Sequence, residues 1–371
     1  MNRAPLALAA VLAAATTLTA CGSDAGTTAD AAADGAAGAV DDSTAQPDGD
    51  ATVGATDAAS GAGPVDLGVD EIRLDWATYN PASLVLKEKG WLEDAVGDDV
   101  TVTWEFSAGS APANELLRGD VVDFNSTAGA AALLARANGS PLRTVDVLAQ
   151  PEWSAIVVGP DSDIASAEDL EGKNIAALSG TDPYFFLLQT LDSAGLSVED
   201  VQIVDLPHAD GRLALQQGQV DAWSGLDPIM ADAESTDGAQ LVVREPDRLS
   251  YSVLNVREDF LQESPEAVEL VLTQYERARR WIQENPEEAV EILAAAAEID
   301  PAIAEQVLTD RTNFDVDPVP GDELADVLAR IVPIVVQGGQ VASQEDADAA
   351  LEELFAPEPV TAAVAAVSSQ E

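Results

Sequence analysis

Two short stretches constrain this chain more than any other feature: Ser107-Ala108-Gly109-Ser110-Ala111-Pro112, and Asn125-Ser126-Thr127-Ala128-Gly129. Each follows an apolar or alternating run that reads as a strand. Each precedes a run that reads as a helix, Ala113 to Leu117 in one case and Ala128 to Ala137 in the other. A strand that ends in Ser, Gly and Thr and opens a helix leaves free backbone N–H groups beside hydroxyls, which attracts an anion. Two such junctions about twenty residues apart point to one pocket.

Around them the chain keeps a β/α rhythm. Ile72 to Trp76 alternates as a strand, Leu84 to Lys89 is helical and stops at Gly90, and Val100 to Phe106 alternates again. Pro112 suits the first turn of a helix, where no N–H is needed. Strands follow at Val121 to Phe124, Val145 to Leu148 and Ser154 to Val158. The rhythm then restarts with Asn174 to Leu178, a helix from Pro183 to Ala194, and further strands at Val201 to Asp205 and Val220 to Trp223. Tyr251 to Asn255 reads as a return crossing. From Ser264 the chain is helical, with a break or bend near Pro333. The pattern predicts an α/β fold of two lobes, each with a mostly parallel sheet, crossings near residues 150 and 250, and a cleft lined by strand ends. The expected division is 71–150 and 250–359 for lobe one, 151–249 for lobe two, and a tail over 360–371.

The chain has 371 residues, with 67 acidic side chains against 17 basic ones and a formal charge of −50. Such a charge excludes a nucleic-acid partner. One cysteine, Cys21, and one histidine, His208, rule out a disulfide framework and a Cys/His metal site; no metal and no cofactor are expected. Arg3, the apolar run Ala7 to Leu18 and the box Leu18-Thr19-Ala20-Cys21 read as a lipoprotein signal peptide over 1–20. Lipidation of Cys21 would anchor the chain to the outer face of the membrane. From Gly22 to about Asp70 the sequence is almost wholly Ala, Asp, Gly, Thr and Ser, without aromatics, Lys or Arg. That composition predicts a disordered acidic tether over 21–70.

Eight motifs, in order, carry a resemblance. They are Tyr79-Asn80-Pro81-Ala82-Ser83-Leu84 with Lys89-Gly90-Trp91-Leu92-Glu93, Ser107-Ala108-Gly109-Ser110, Asp123 to Gly129, and Gln150-Pro151-Glu152-Trp153. In the second half come Gly180-Thr181-Asp182-Pro183, Leu206 to Gly211, Val220 to Pro228, and Leu254 to Phe260. Together they resemble the solute-binding proteins of ABC importers for aliphatic sulfonates, taurine and nitrate-type anions, nearest the aliphatic-sulfonate branch. The resemblance runs from about Glu71 to Phe355. It implies a type II periplasmic-binding fold that closes like a hinge on its ligand, docks on ABC permease subunits and works as a monomer. Asn125 stands where Gly is common in that family, and Pro207 where Gln is common.

A sulfonate is a singly charged tetrahedral group with three acceptor oxygens, so it needs several N–H and O–H donors. Under the resemblance, lobe one supplies them from Ser107, Gly109, Ser110, Ser126 and Thr127, and lobe two from Thr181. The competing role for each hydroxyl is helix capping, worth about 1 kcal/mol. Tyr79, Asn80, Tyr184 and Trp223 join the set, the aromatics as walls for an alkyl chain or else as core. Asp227 would hold an ammonium group, as on taurine, or cap the next helix. His208 and Asp210 read first as helix-capping and turn residues. No residue is assigned a catalytic role: there is no G-x-S-x-G elbow and no P-loop Gly-Lys-Ser/Thr. The expected function is capture of an aliphatic sulfonate for an ABC importer. The alternatives are taurine, nitrate or bicarbonate, or a thiamine-precursor pyrimidine as the ligand, and, more remotely, a pyrimidine-synthase-like enzyme.

Overall fold

The computed structural model describes residues 67–368. The expected signal peptide, Cys21 and the tether up to residue 66 lie outside the described residues. The chain lays down β1 (Glu71–Trp76), β2 (Thr101–Phe106), β3 (Phe124–Ala128) and β4 (Leu142–Pro151). It then crosses to β5 (Ile156–Val158), β6 (Asn174–Ala176), β7 (Gln202–Val204), β8 (Ala222–Ser224) and β9 (Gln240–Val243), and returns to β10 (Ser252–Arg257) and β11 (Thr312–Asn313). One sheet has the order β11-β4-β10-β3-β1-β2 and the other β7-β6-β8-β5-β9. The sheets are mixed rather than mostly parallel. In each, three adjacent strands pair parallel, β2-β1-β3 and β7-β6-β8, and the strand that follows the crossing, β10 or β5, is antiparallel to its neighbours. A chain that enters a lobe from its partner arrives at the end where the parallel strands finish, so it must run the opposite way.

Local chemistry explains the elements around the cleft. In β1, Ile72 and Leu74 are fully buried, and the strand pairs in register with β2 from Glu71–Thr101 to Trp76–Phe106. Helix Pro81–Lys89 is capped by Asn80, whose side-chain oxygen accepts from Ser83 N at 3.3 Å. It has Pro at its start and Gly90 in the left-handed conformation at its end. The core of lobe one lies between its sheet and the long helix Pro265–Glu284, which buries Val268, Val271, Leu272 and Tyr275.

Three expectations are corrected. Leu67, assigned to the tether, is buried in the lobe-one core. Residues 360–368 of the expected tail belong to helix Glu358–Ser368, which buries Val360 and Ala363; these positions are three apart and share one face. Helix Asp322–Gln337 continues through Pro333, so of the break or bend expected there the break does not occur.

The second Ser/Gly junction is also displaced. Asn125, Ser126 and Thr127 lie inside β3, fully buried, and the helix Gly129–Ala137 opens only after Ala128. Gly129 is where two backbones meet. Its N–H donates to the carbonyls of Ser250 and Tyr251, both at 3.1 Å, and a Cβ there would lie 2.5 Å from the Ser250 oxygen. Gly129→Ala is expected to lower stability by about 1–3 kcal/mol in urea unfolding, since backbone rather than a flexible side chain would have to move. An unchanged midpoint would show that the return crossing yields freely.

Candidate ligand-binding site between the lobes

Beneath the ends of β1, β2 and β3 lies a buried carboxylate. Asp75 accepts from Ser107 Oγ at 2.7 Å, from Ser126 N at 2.7 Å and from Ser126 Oγ at 3.2 and 3.3 Å. The Tyr79 hydroxyl donates to the Ser126 carbonyl at 3.0 Å and lies 3.2 Å from Ser107 Oγ. Burial pushes the Asp75 carboxyl up to about 7, although the hydrogen bonds from Ser107 and Ser126 pull it down. Both hydroxyls expected to face the anion therefore point at an internal acid. Asp75 lies in the strand read as alternating from Ile72 to Trp76 and was not singled out there, yet it is fully buried. The signal was two hydroxyl-bearing segments, at 107 and 126, flanking one acidic strand position.

Thr127 points to the opposite face, as alternation requires. Its Oγ1 accepts from Asn255 Nδ2 at 2.9 Å, within a buried series that joins Thr144, Asn255, Asn125 and Asn114. Asn80 is buried and its Nδ2 has no partner among the described residues.

The helix starts differ in what satisfies them. Helix Gly129–Ala137 is capped from the return crossing: Ser250 Oγ accepts from Ala130 N at 3.0 Å and the Ser250 carbonyl from Gly129 N. No anion is needed there. Helix Ser110–Arg118 follows Gly109 (φ 138°) and has no side-chain cap. Ser110 Oγ accepts from Ala128 N at 3.0 Å, which leaves its own proton to give. In lobe two, Thr181 precedes helix Asp182–Ser193, but its hydroxyl donates to the Leu178 carbonyl at 2.6 Å.

The crossings carry two further buried acids. Asp182 accepts from Trp153 Nε1 at 2.7 Å and from Ser250 Oγ at 2.5 Å, so one lobe-two carboxylate holds a residue from each connection. Burial raises its carboxyl pKa, with the Ser250 and Trp153 hydrogen bonds opposing. Asp227 pairs with Arg311 at 3.1 Å and accepts from Ala231 N at 2.9 Å. Burial pushes it to about 6 against the nearby guanidinium. Of the two roles expected of Asp227, capping is the one found, through Ala231 N in the first turn of helix Ile229–Asp237, and the ammonium role is taken by Arg311, which sits just before β11 and was not singled out in the sequence. Trp223 lies in the lobe-two core under helix His208–Gln216, where a Cβ on Gly211 would meet its ring at 2.8 Å. Tyr184 is half-buried, edge-on to Phe185.

The lobes touch at the first junction. A Cβ on Gly109 would lie 3.2 Å from His208 Nε2 and 3.8 Å from Leu178, and one on Gly180 would lie 3.6 Å from the Ala111 methyl. His208 is 2% exposed, and neither ring nitrogen has a partner among the described residues. Burial pushes its imidazole down to about 4. Beside this contact runs a groove of about 510 Å³, walled by Trp76, Thr78 and Phe106 from lobe one and by Arg212, Pro228 and Ile229 from lobe two. Phe106, 52% exposed, stacks on Trp76 with ring centroids 4.8 Å apart. Gly109 lies at this contact with Ser110 next to it, and Gly180, which precedes Thr181, reaches Ala111; Tyr79 shares a small pocket with Asp227 and Arg311, and Thr127 and Trp223 are engaged elsewhere.

The profile of the NMT1/THI5-like family matches residues 79–289. A protein of Bacillus subtilis (strain 168), provisionally named an aliphatic sulfonates-binding protein, is 32% identical over 256 residues, 67% of this chain and 76% of its own length. The structure of the alkanesulfonate-binding protein SsuA from Xanthomonas axonopodis pv. citri, bound to MOPS, superposes with a TM-score of 0.69 at 22% identity, covering 74% of this chain and 96% of that one. The desulfurization enzyme DszB superposes at 0.59 with 18% identity, over 80% of this chain and 99% of its own. The architecture is the two-lobe α/β fold of periplasmic binding proteins.

Asp75 gives this site a pH signature. Its native carboxyl titrates at about 7, against an unfolded value near 3.9. Between the two, the native state keeps a proton that the unfolded state has lost, so stability falls as pH rises through that window. Asp75→Asn is expected to remove this slope, gaining on the parent by as much as ~4 kcal/mol at pH 8 relative to pH 4. Urea unfolding across that range measures it, and a constant difference between the two proteins would refute the assignment.

Proposed function

Because this chain belongs to the NMT1/THI5-like family, we propose that it is an extracytoplasmic solute-binding protein that captures an aliphatic sulfonate between its lobes and delivers it to the permease of an ABC importer. Lipidation at Cys21 would hold it at the outer face of the membrane. The observation that carries the reading is the uncapped start of helix Ser110–Arg118, which faces lobe two across Gly109 and beside an aromatic-walled groove. A helix start offers N–H groups and a positive dipole end to a tetrahedral anion. Ser110 adds a hydroxyl donor. Trp76 and Phe106 offer apolar area to an organic tail.

The roles of the candidate residues follow from their partners. Gly109 and Ser110 act on the anion directly. Tyr79, Ser107 and Ser126 act through Asp75, which fixes the ends of β1, β2 and β3 around the site. Asn80 brings an unpartnered amide N–H to the same end of lobe one. Thr181 and Tyr184 shape the lobe-two wall. The formal charge of −50 does not forbid an anion here. Screening falls off over about 8 Å at physiological salt, so the donors within the cleft dominate.

The desulfurization enzyme DszB shares the fold, so an enzymatic role is the competing reading. The sequence motifs of the common nucleophilic hydrolases are absent, and relatives matching at higher identity are named as binding proteins.

A thermal-shift panel of taurine, ethanesulfonate, longer alkanesulfonates, an aromatic sulfonate, sulfate, nitrate and pyrimidines tests the proposal. Sulfonates are expected to raise the melting temperature without being consumed, with micromolar affinity equivalent to about −8 kcal/mol. Ser110→Ala is expected to weaken binding about tenfold. Stabilisation by pyrimidines alone would overturn the reading.

A further inference from the structure

His208 is the chain's one histidine, and it is buried in an unusual way. It occupies the first position of helix His208–Gln216, the counterpart in lobe two of helix Ser110–Arg118 in lobe one. Its ring reaches across the cleft to Gly109. A neutral imidazole always carries one N–H and one bare nitrogen. Here both nitrogens are buried, and neither has a partner among the described residues. Leaving such a group unsatisfied is costly, and it is tolerated where a ligand supplies the missing partner.

Three features converge on that ligand's position. The uncapped helix start at Gly109 and Ser110 supplies N–H donors from one side, and the first turn at His208 approaches from the other. Gly109 has φ 138°, a conformation that L side chains rarely adopt, and its lack of a Cβ is what admits the imidazole so close to the backbone. Four residues on from His208, on the same face of its helix, Arg212 lines the groove walled by Phe106 and Trp76. The ring packs directly against Gly109 in this structure, so an anion's head would enter only where the lobes part at that contact, with its tail along the groove.

We propose that His208 is a ligand-binding residue of lobe two, donating an imidazole N–H to an oxygen of the bound sulfonate opposite Gly109 and Ser110. The contact rests on the sulfonate-capture reading and adds the lobe-two half of its anion site. It also gives closure a chemical reason: with the anion in place the imidazole gains an acceptor, and without it closure strands two polar nitrogens. Burial alone lowers the ring's titration, with Asp205, Asp210 and Arg212, the charged groups near it in sequence, contributing nothing to the shift. An anion against the ring must therefore change that titration in a detectable direction.

Because the chain has a single histidine, its ring signals need no assignment. The full-length protein labelled with 15N-histidine is titrated from pH 4 to 9, alone and saturated with ethanesulfonate or taurine, and the affinities of His208→Gln and His208→Leu are measured in parallel. In the sulfonate complex the imidazole is expected to titrate at or above about 6.5, the value of a free ring. His208→Leu is expected to bind at least about tenfold more weakly, and His208→Gln, which keeps an N–H, within about threefold of the parent. Unliganded melting temperatures show that both variants are folded. If the ring in the complex instead titrates towards 4 and His208→Leu binds as the parent does, His208 is packing and the proposal is overturned while sulfonate capture stands. If the parent binds no sulfonate, the function reading falls and this contact with it.

Discussion

Asp182 begins a lobe-two helix, buried away from water, and its carboxylate takes the indole N–H of Trp153 and the hydroxyl of Ser250. Trp153 follows the first crossing and Ser250 precedes the return strand, so both connections between the lobes are tied to one charge. Ser250 also caps the helix Gly129–Ala137 of lobe one through its carbonyl and hydroxyl. A buried carboxylate that lost any of these donors would be left badly desolvated. The relative placement of Gly109 and His208 is inherited from this network, because the crossings set how the two sheets face each other.

A second buried acid does similar work within lobe one. Asp75 gathers Ser107, Ser126 and, through them, Tyr79, and so fixes the strand ends from which helix Ser110–Arg118 departs. The proposed anion site is thereby split into layers. Hydroxyls below it are oriented by an internal acid, and backbone N–H groups at its surface stay free for a guest. This separation lets a chain with a large negative charge present positive dipole ends where they count. The acids inside the protein are hydrogen-bonded and pushed towards neutrality by burial, and those outside are screened by salt.

Much of the fold was legible from periodicity. Alternation marked β1 and β2, and Gly90 marked the end of the first helix, because these signals act over a few residues; its start at Pro81, capped by Asn80, was placed three residues late, at Leu84. The crossings near 150 and 250 were also visible as breaks in the rhythm. The second junction misled. Asn125, Ser126 and Thr127 read as the junction between a strand ending at Phe124 and a helix, yet they lie within the buried strand β3, where polar side chains are held by Asp75 and by Asn255. Strand membership there is decided by partners on other strands, which no local pattern encodes.

The sequence by itself determined two α/β lobes, their order along the chain, and a helix start at Gly109 and Ser110 after a strand, since each of these follows from spacing and from residue type. Only the tertiary structure decided which hydroxyls remain free. Ser107 and Ser126 face a carboxylate 32 and 51 residues away, Asp227 is taken by Arg311 from 84 residues away, and His208 meets Gly109 only because the lobes come together. A side chain's chemistry is written in the sequence. Whether its hydrogen bond is already satisfied depends on what the fold brings beside it.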